Sequence, residues 1–352
     1  MTPATRVALL TPMGKSALAT FALIGPGSVS LANQLFRSAK GPPIDERDFR
    51  PRYGHFGIGL SDDVVVTQRP GSAELIVEIH CHGGTAMVSA LIEQLIARGA
   101  VRVPWQEFER AAGYSMIQVE AMEALGQVTA PKGADLLVDQ WQGSLDRAFT
   151  FLRQTRDQKL LHELFAWEKL GAHLAEPWRV VFFGKPNVGK SSLVNALAGF
   201  ERAIVSATAG TTRDLLSVDV TFEGWPFRLL DGAGLRDTDD PIEKEGVQRI
   251  LAEIELADLR IEVVDLTEDP DRFKSTQADL VIGGKGDAPS HWNAKQRDSL
   301  DGIVSARTGE SLDELIRMIV KRLIPVEPSP GQAIPFTDRQ RQELRQLIAL
   351  PS

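Results

Sequence analysis

Short apolar runs recur through the first third of the chain. RVALLT, ALATFALIG, HFGIGL, DVVVTQ and AELIVEIH each have strand length and are closed by polar or turn residues. Between them lie two helical patches, SVSLANQLFRSA and TAMVSALIEQLIARG. The mixture predicts a small α+β domain over residues 1–112.

The pattern then changes period. Leu137, Trp141, Leu145, Ala148 and Leu152 recur at three- and four-residue steps, and Leu160, Leu164 and Trp167 repeat the rhythm. That spacing predicts helices with one apolar face over 113–176, which need another surface to cover them. From 177 to 326 strand and helix patterns alternate: RVVFF, LSVDVTF, FRLLD, RIEVVD, ADLVI and GIVSA as strands, with helices opening at Gly189, near Glu243 and at Ser311. Such alternation predicts a mostly parallel sheet covered on both faces. PVEPSPGQ (325–332) reads as a linker, and a last short helix, opened by Thr337 and Gln340 at capping-box spacing, follows it in the closing segment 327–352.

Composition narrows the function. A net charge of −8 on 352 residues argues against binding nucleic acid over the whole surface. Cys81 is the one cysteine, so no internal disulfide is expected. The opening MTPATRVALLTPMGKS lacks a charged stretch before a long apolar run, and no window has the length of a membrane span. The expectation is a soluble cytoplasmic protein without a membrane partner.

GKPNVGKS (184–191) fits G-x-x-x-x-G-K-[ST] between a strand and a helix. Its glycines let backbone N–H groups wrap phosphates at a helix N-terminus. Asn187, Val188, Gly189, Lys190, Ser191 and Ser192 form the expected cradle, with Lys190 on the β- and γ-phosphates and Ser191 on Mg²⁺. DGAG places Asp231 to hold a Mg²⁺ water and the Gly234 N–H to sense the γ-phosphate. The threonines of Gly210–Asp214 offer a second Mg²⁺ ligand. For the base, guanine-specific folds use N-K-x-D, and here the strand ADLVI ends in Gly284-Lys285-Gly286-Asp287. Asp287 would take guanine N1–H and the 2-amino group, while the Asn is replaced by glycine. Ser305, Ala306 and Arg307 would supply the loop over guanine O6. GTP is the expected nucleotide, with ATP the alternative.

GKPNVGKSSLVNAL, AIVSATAGTTRD, DGAGLRDTDDPIEKEGVQR and SARTGESLDEL together resemble the MnmE/TrmE tRNA-modification GTPases. LLTPMGKSALATFALIGP, VEIHCHGG and IQVEAMEALGQVTAPKGADLLVDQWQGSL extend the resemblance over nearly the whole chain. It implies an α/β P-loop GTPase domain inserted in a helical domain, after an N-terminal α+β folate-binding-like domain that forms a homodimer. It also implies GTP-dependent pairing of GTPase domains and K⁺ held by Asn187, Ser206, Thr208 and Thr211, with Thr212 on Mg²⁺. Glu243 falls on the family's catalytic glutamate, beside Lys190 as the other catalytic residue. Wobble-uridine modification of tRNA with an FAD-dependent partner completes the implied role.

The departures concern the tRNA chemistry. Family members run past RQLIALPS to a Cys-x-Gly-Lys tail, so the sequence leads one to expect a shortened helical domain without that cysteine. The family's folate arginine falls on Ala22, leaving Glu78 and Arg110 as candidates for 5-formyl- or methylene-tetrahydrofolate. The segment before IQVEA is short, which leaves the placement of Arg110 open. Two readings stand: a K⁺-stimulated, Mg²⁺-dependent GTPase in wobble-uridine modification, or an MnmE-like switch or scaffold that has lost the one-carbon chemistry. A nucleotide-binding pseudoenzyme would rest on Gly284 alone. His80 and His82 read as capping or folate-lining residues ahead of metal ligands, and Arg339, Arg341 and Arg345 as a solvated helix face ahead of a tRNA contact.

Overall fold

The computed structural model describes residues 4–200, 204–205, 217–232, 255–270 and 278–349. It divides into two compact units, Met1–Val119 and Glu120–Ser352. No helix among the described residues is long and apolar enough to cross a membrane.

The first unit runs β1 (Arg6–Leu9), β2 (Leu18–Ile24), α1 (Ser28–Leu35), β3 (Phe36–Ser38), β4 (Arg52–Phe56), β5 (Asp62–Pro70), β6 (Leu75–His82), α2 (Thr85–Ile96), β7 (Val101–Arg102) and α3 (Trp105–Ala112). The sheet order is β3-β4-β5-β6-β2-β1-β7. Neighbours are antiparallel except β1 and β7. LATFALI is a continuous apolar run because β2 is buried on both faces. Phe21 and Leu23 join Val77, Ile79, Cys81 and residues of α1 and α2, while Ala22 and Ile24 join Ile76 and Phe108 of α3.

The helix expected through SVSLANQLFRSA stops at Leu35. Phe36 is extended (φ −82°, ψ 134°) and pairs with Phe56. Burying Phe36 in the sheet core outweighs one more helical turn. The strand HFGIGL is likewise cut at Phe56.

After a helix at Met116–Leu125, the second unit holds α5 (Pro131–Trp141), α6 (Ser144–Thr155), α7 (Gln158–Ala166) and α8 (Glu168–Ala172), then β8 (Trp178–Phe183), α9 (Lys190–Ala198), β9 (Ile204–Val205), β10 (Ser217–Phe222), β11 (Trp225–Asp231), β12 (Leu259–Asp265), β13 (Leu280–Gly284) and β14 (Gly302–Ile303). The described strands order as β14-β13-β12-β8-β11-β10-β9. Neighbours from β14 to β11 are parallel and β10 is antiparallel to both its neighbours. Helices Ala294–Arg297, Leu312–Leu323 and Asp338–Ala349 follow. The strand expected through GIVSA shortens to its first two residues.

The last segment returns to the early helices. The buried Gln140 donates to the Gln332 carbonyl at 3.0 Å and accepts from the Ile334 N–H at 3.2 Å. Thr337 and Gln340 make the reciprocal cap their spacing predicts, at 3.3 and 3.2 Å. Leu137, Leu145, Phe149, Leu164 and Leu344 are all buried. The three arginines of the last helix face carboxylates: Arg339 reaches Glu120 and Glu343, Arg341 reaches Asp338 and Arg345 reaches Glu168. Their charge is met within the protein.

Burial, with the Asp62 charge adding to it, pushes the Cys81 thiol up to about 11. The native protein should therefore leave a thiol reagent unreacted at about pH 8 and yield one labelled cysteine only on unfolding. Rapid stoichiometric labelling in native buffer would contradict the packing of β6.

Candidate functional site

The phosphate cradle begins where β8, buried along most of its length, runs out at Gly184. That residue has φ 138°, and a Cβ there would lie 2.4 Å from the Val263 carbonyl oxygen, so only glycine passes this close to β12. Asn187 takes the left-handed conformation at φ 64°, which asparagine tolerates better than most residues. Gly189 caps α9 at φ 100°. The first amides of α9 are left for an anion, and the helix dipole adds a favourable field there.

Lys190 folds back over the loop. Its Nζ donates to the carbonyls of Gly184 at 3.0 Å and Lys185 at 2.6 Å. Burial holds its pKa below the usual lysine value, while the Asp231 charge opposes that shift. Asp231 stands at the end of β11, in parallel register with Phe182. The next residue, Gly232, donates to the Phe182 carbonyl at 2.8 Å. This register sets the carboxyl beside the cradle strand.

Asp231 is 3% exposed, and neither carboxyl oxygen has a hydrogen-bond partner among the described residues. A buried acceptor left unmade costs about 1–3 kcal/mol. A hydrated cation placed there would satisfy both oxygens. Asp231 thus offers hard oxygen donors of the kind Mg²⁺ takes.

The base end is a cavity of about 380 Å³ lined by Val188, Ser192, Gly284, Lys285, Asp287 and Arg307, among others. Lys285 Nζ is tied to Asp265 Oδ2 at 2.5 Å. Asp265 also accepts from the Thr267 N–H and hydroxyl at 2.9 and 2.7 Å. Burial raises the Asp265 pKa, but the Lys285 and Thr267 hydrogen bonds outweigh it and leave the group below the usual carboxylate range. Asp287 accepts from the buried Ser305 hydroxyl at 2.5 Å and from Arg307 Nε at 2.7 Å. Those two contacts hold its carboxyl below the ordinary range. A base that takes this carboxylate must displace Arg307, whose side chain is 78% exposed and can return to water at small cost.

The structure thus brings Val188, Gly189, Lys190, Ser192, Lys285, Asp287, Ser305, Ala306 and Arg307 to one end of the second sheet, with Asn187, Ser191 and Asp231 beside them. Ser206, Thr208, Gly210, Thr211, Thr212, Gly234 and Glu243 lie outside the described residues. The Asp265 clamp on Lys285 went unpredicted. Its sequence signal was the acidic end of the strand LRIEVVD.

The folate candidates are not brought together. Ala22 is fully buried among apolar side chains. Glu78 accepts from Arg69 Nε at 2.6 Å, and Arg69 also reaches Glu109 at 2.9 Å. Arg110 turns instead to the Tyr114 carbonyl at 2.7 Å. Glu78 and Arg110 are thus both engaged within this unit, and position 22 carries no arginine. His80 lies between the hydroxyls of Thr20 and Thr67, both at 2.9 Å, and His82 pairs with Asp62 at 2.8 Å. Among the described residues no cluster of three or more His, Cys, Asp and Glu side chains could hold a metal ion.

Two family models match the chain. One described as "GTP-binding protein TrmE N-terminus" covers residues 5–112, and one described as "50S ribosome-binding GTPase" covers residues 179–286. The tRNA modification GTPase MnmE of Moorella thermoacetica is 32% identical, over 96% of this chain and 86% of that one. Its counterpart in Acinetobacter baumannii is 33% identical, over 78% and 68%. Among solved structures, an Aquifex aeolicus Era protein bound to GDP.AlF4- is 30% identical over 44% of this chain and 60% of that chain, with a TM-score of 0.33.

Gly184→Ala should destabilise the protein by about 1–3 kcal/mol through strain against the Val263 carbonyl. A thermal melt checks it, and an unchanged midpoint would contradict the close approach of the cradle to β12.

Proposed function

This chain belongs to the MnmE family of tRNA modification GTPases, and from that premise we propose how its second unit turns over GTP. The orphaned Asp231 carboxyl beside the Lys190 cradle carries the reading. Backbone amides of the loop and α9 bind the phosphates, and Lys190 gives up its two carbonyl contacts to meet the β- and γ-oxygens. Ser191, and Asp231 through water, would hold Mg²⁺, which would supply positive charge against the triphosphate. Asp287, Ser305 and Ala306 select guanine. A water that Glu243 orients through a second water attacks the γ-phosphorus, the bond to the bridging oxygen breaks, the attacking water's proton passes to a phosphate oxygen, and GDP and inorganic phosphate leave.

Asn187 sits exposed at the tip of the loop, where a second GTPase domain can reach it. With Ser206, Thr208 and Thr211 it would hold K⁺ there, and Thr212 would add a Mg²⁺ ligand. K⁺ at that point supplies the charge that an arginine finger supplies in other GTPases. The proposal includes a homodimer through the first unit, GTP-dependent pairing of the GTPase domains, and action in the cytoplasm. Wobble-uridine modification of tRNA with an FAD-dependent partner is the family role that goes with it.

A second reading has its own observation. Ala22 is buried in an apolar cluster and Glu78 is engaged by Arg69. That favours a GTP switch that does not draw its one-carbon unit from a folate in this unit. Mass spectrometry of tRNA nucleosides from cells with and without the gene separates the two readings: a lost wobble modification supports the family role, and unchanged nucleosides support the switch.

GTP hydrolysis should be faster in K⁺ than in Na⁺ by at least about tenfold, and Asn187→Ala should erase the difference. Phosphate release assays read both. Equal rates in the two salts for the native sequence would rule out the potassium site.

A further inference from the structure

We propose that Asp265 is a positioning residue for the base cavity: it touches no nucleotide, and by holding Lys285 it fixes the turn that carries Asp287. The inference rests on the guanine-nucleotide reading of the same site and adds a residue that lies outside the motifs of that site.

β12 and β13 run parallel with Asp265 level with Gly284, so Lys285 is the first residue past the end of β13, beside that carboxyl. Its backbone is left-handed at φ 59°, a conformation that a lysine keeps only where its surroundings hold it. Nζ is bonded to Asp265 Oδ2 at 2.5 Å. The other oxygen, Oδ1, accepts from the Thr267 N–H and hydroxyl, so the carboxyl is itself fixed on its own loop. The Asp265 side chain is 3% exposed, and a charge-assisted bond made there is of the strong kind.

Lys285 opens the turn that presents Asp287. Its carbonyl accepts from the Ala288 N–H at 3.0 Å, and the Gly286 N–H donates to the Val304 carbonyl at 3.0 Å. Lys285 and Asp287 both line the cavity, and Asp265 does not. Displacing Arg307 from Asp287 leaves the tether intact, because the two ion pairs share no residue. Without the tether the turn has to be ordered as the base binds, and binding weakens by that cost. Phosphoryl transfer, at the other end of the site, is unaffected.

The test is steady-state GTP hydrolysis by the full chain, read as KM and kcat from phosphate release. Asp265→Asn keeps an acceptor for Thr267 and removes the charge that holds Lys285. It should raise KM by at least about tenfold and leave kcat within about twofold. Thr267→Val cuts the other side of the same carboxyl and should keep KM within about twofold. Lys285→Met cuts the tether from its more exposed end, should raise KM alike, and combined with Asp265→Asn should add nothing further. A native KM in Asp265→Asn, an equal loss in Thr267→Val, or a double variant whose loss is the product of the two single losses would overturn the inference. A native KM in Lys285→Met would overturn it even if Asp265→Asn failed to fold. In each case GTP turnover by the native sequence leaves the guanine-nucleotide reading intact; no turnover by the native sequence would overturn that reading and the inference with it.

Discussion

At the end of β11 stands a buried carboxyl group that finds no hydrogen-bond partner among the described residues. Asp231 is buried, both its oxygens lack partners among the described residues, and Lys190 lies close enough for their charges to interact. Such an arrangement lowers stability when nothing is bound. It persists because the strands around it over-determine its position. Trp178, Val180 and Phe182 on β8, Phe227 and Leu229 on β11, and Ile261 on β12 are fully buried. Their parallel registers then set the end of β11 against the cradle, whatever the cost at its tip.

The two ends of the site are built on opposite principles. The phosphate end holds a buried lysine bonded to nearby carbonyls and a carboxyl without a partner among the described residues. The base end is closed on itself. Asp265 holds Lys285, and Ser305 with Arg307 holds Asp287, so both side chains are oriented by their own neighbours. Lys190 is bonded to two loop carbonyls, while the Asp231 oxygens have no partner among the described residues.

The phosphate end was legible in the sequence because its residues are contiguous. GKPNVGKS carries its turn glycines, lysine and hydroxyl in one stretch, and the flanking strand and helix patterns supplied the context. Asp287 and Ser305 lie in different segments and were still found, since each closes an apolar strand-like run. What the sequence hid depends on register across distance. Arg69 reaches Glu78 only because β5 and β6 pair as they do, and it reaches Glu109 because α3 crosses the same sheet face. No spacing rule announces that cluster. The early end of α1 was missed for a related reason: the pairing of Phe36 with Phe56 decided it, and local helical periodicity did not.

Asp231, without a partner among the described residues, is the group we propose to meet Mg²⁺ beside a bound nucleotide. The measurement that tests it most directly is the thermal midpoint of Asp231→Asn against the native sequence, with and without GDP and Mg²⁺. An amide can donate as well as accept and carries no charge, so the empty variant should melt at or above the native midpoint. Its stabilisation by GDP should no longer depend on Mg²⁺, with a loss of at least about tenfold in affinity when Mg²⁺ is present. A variant that melts lower when empty yet keeps the native Mg²⁺ dependence would contradict the account.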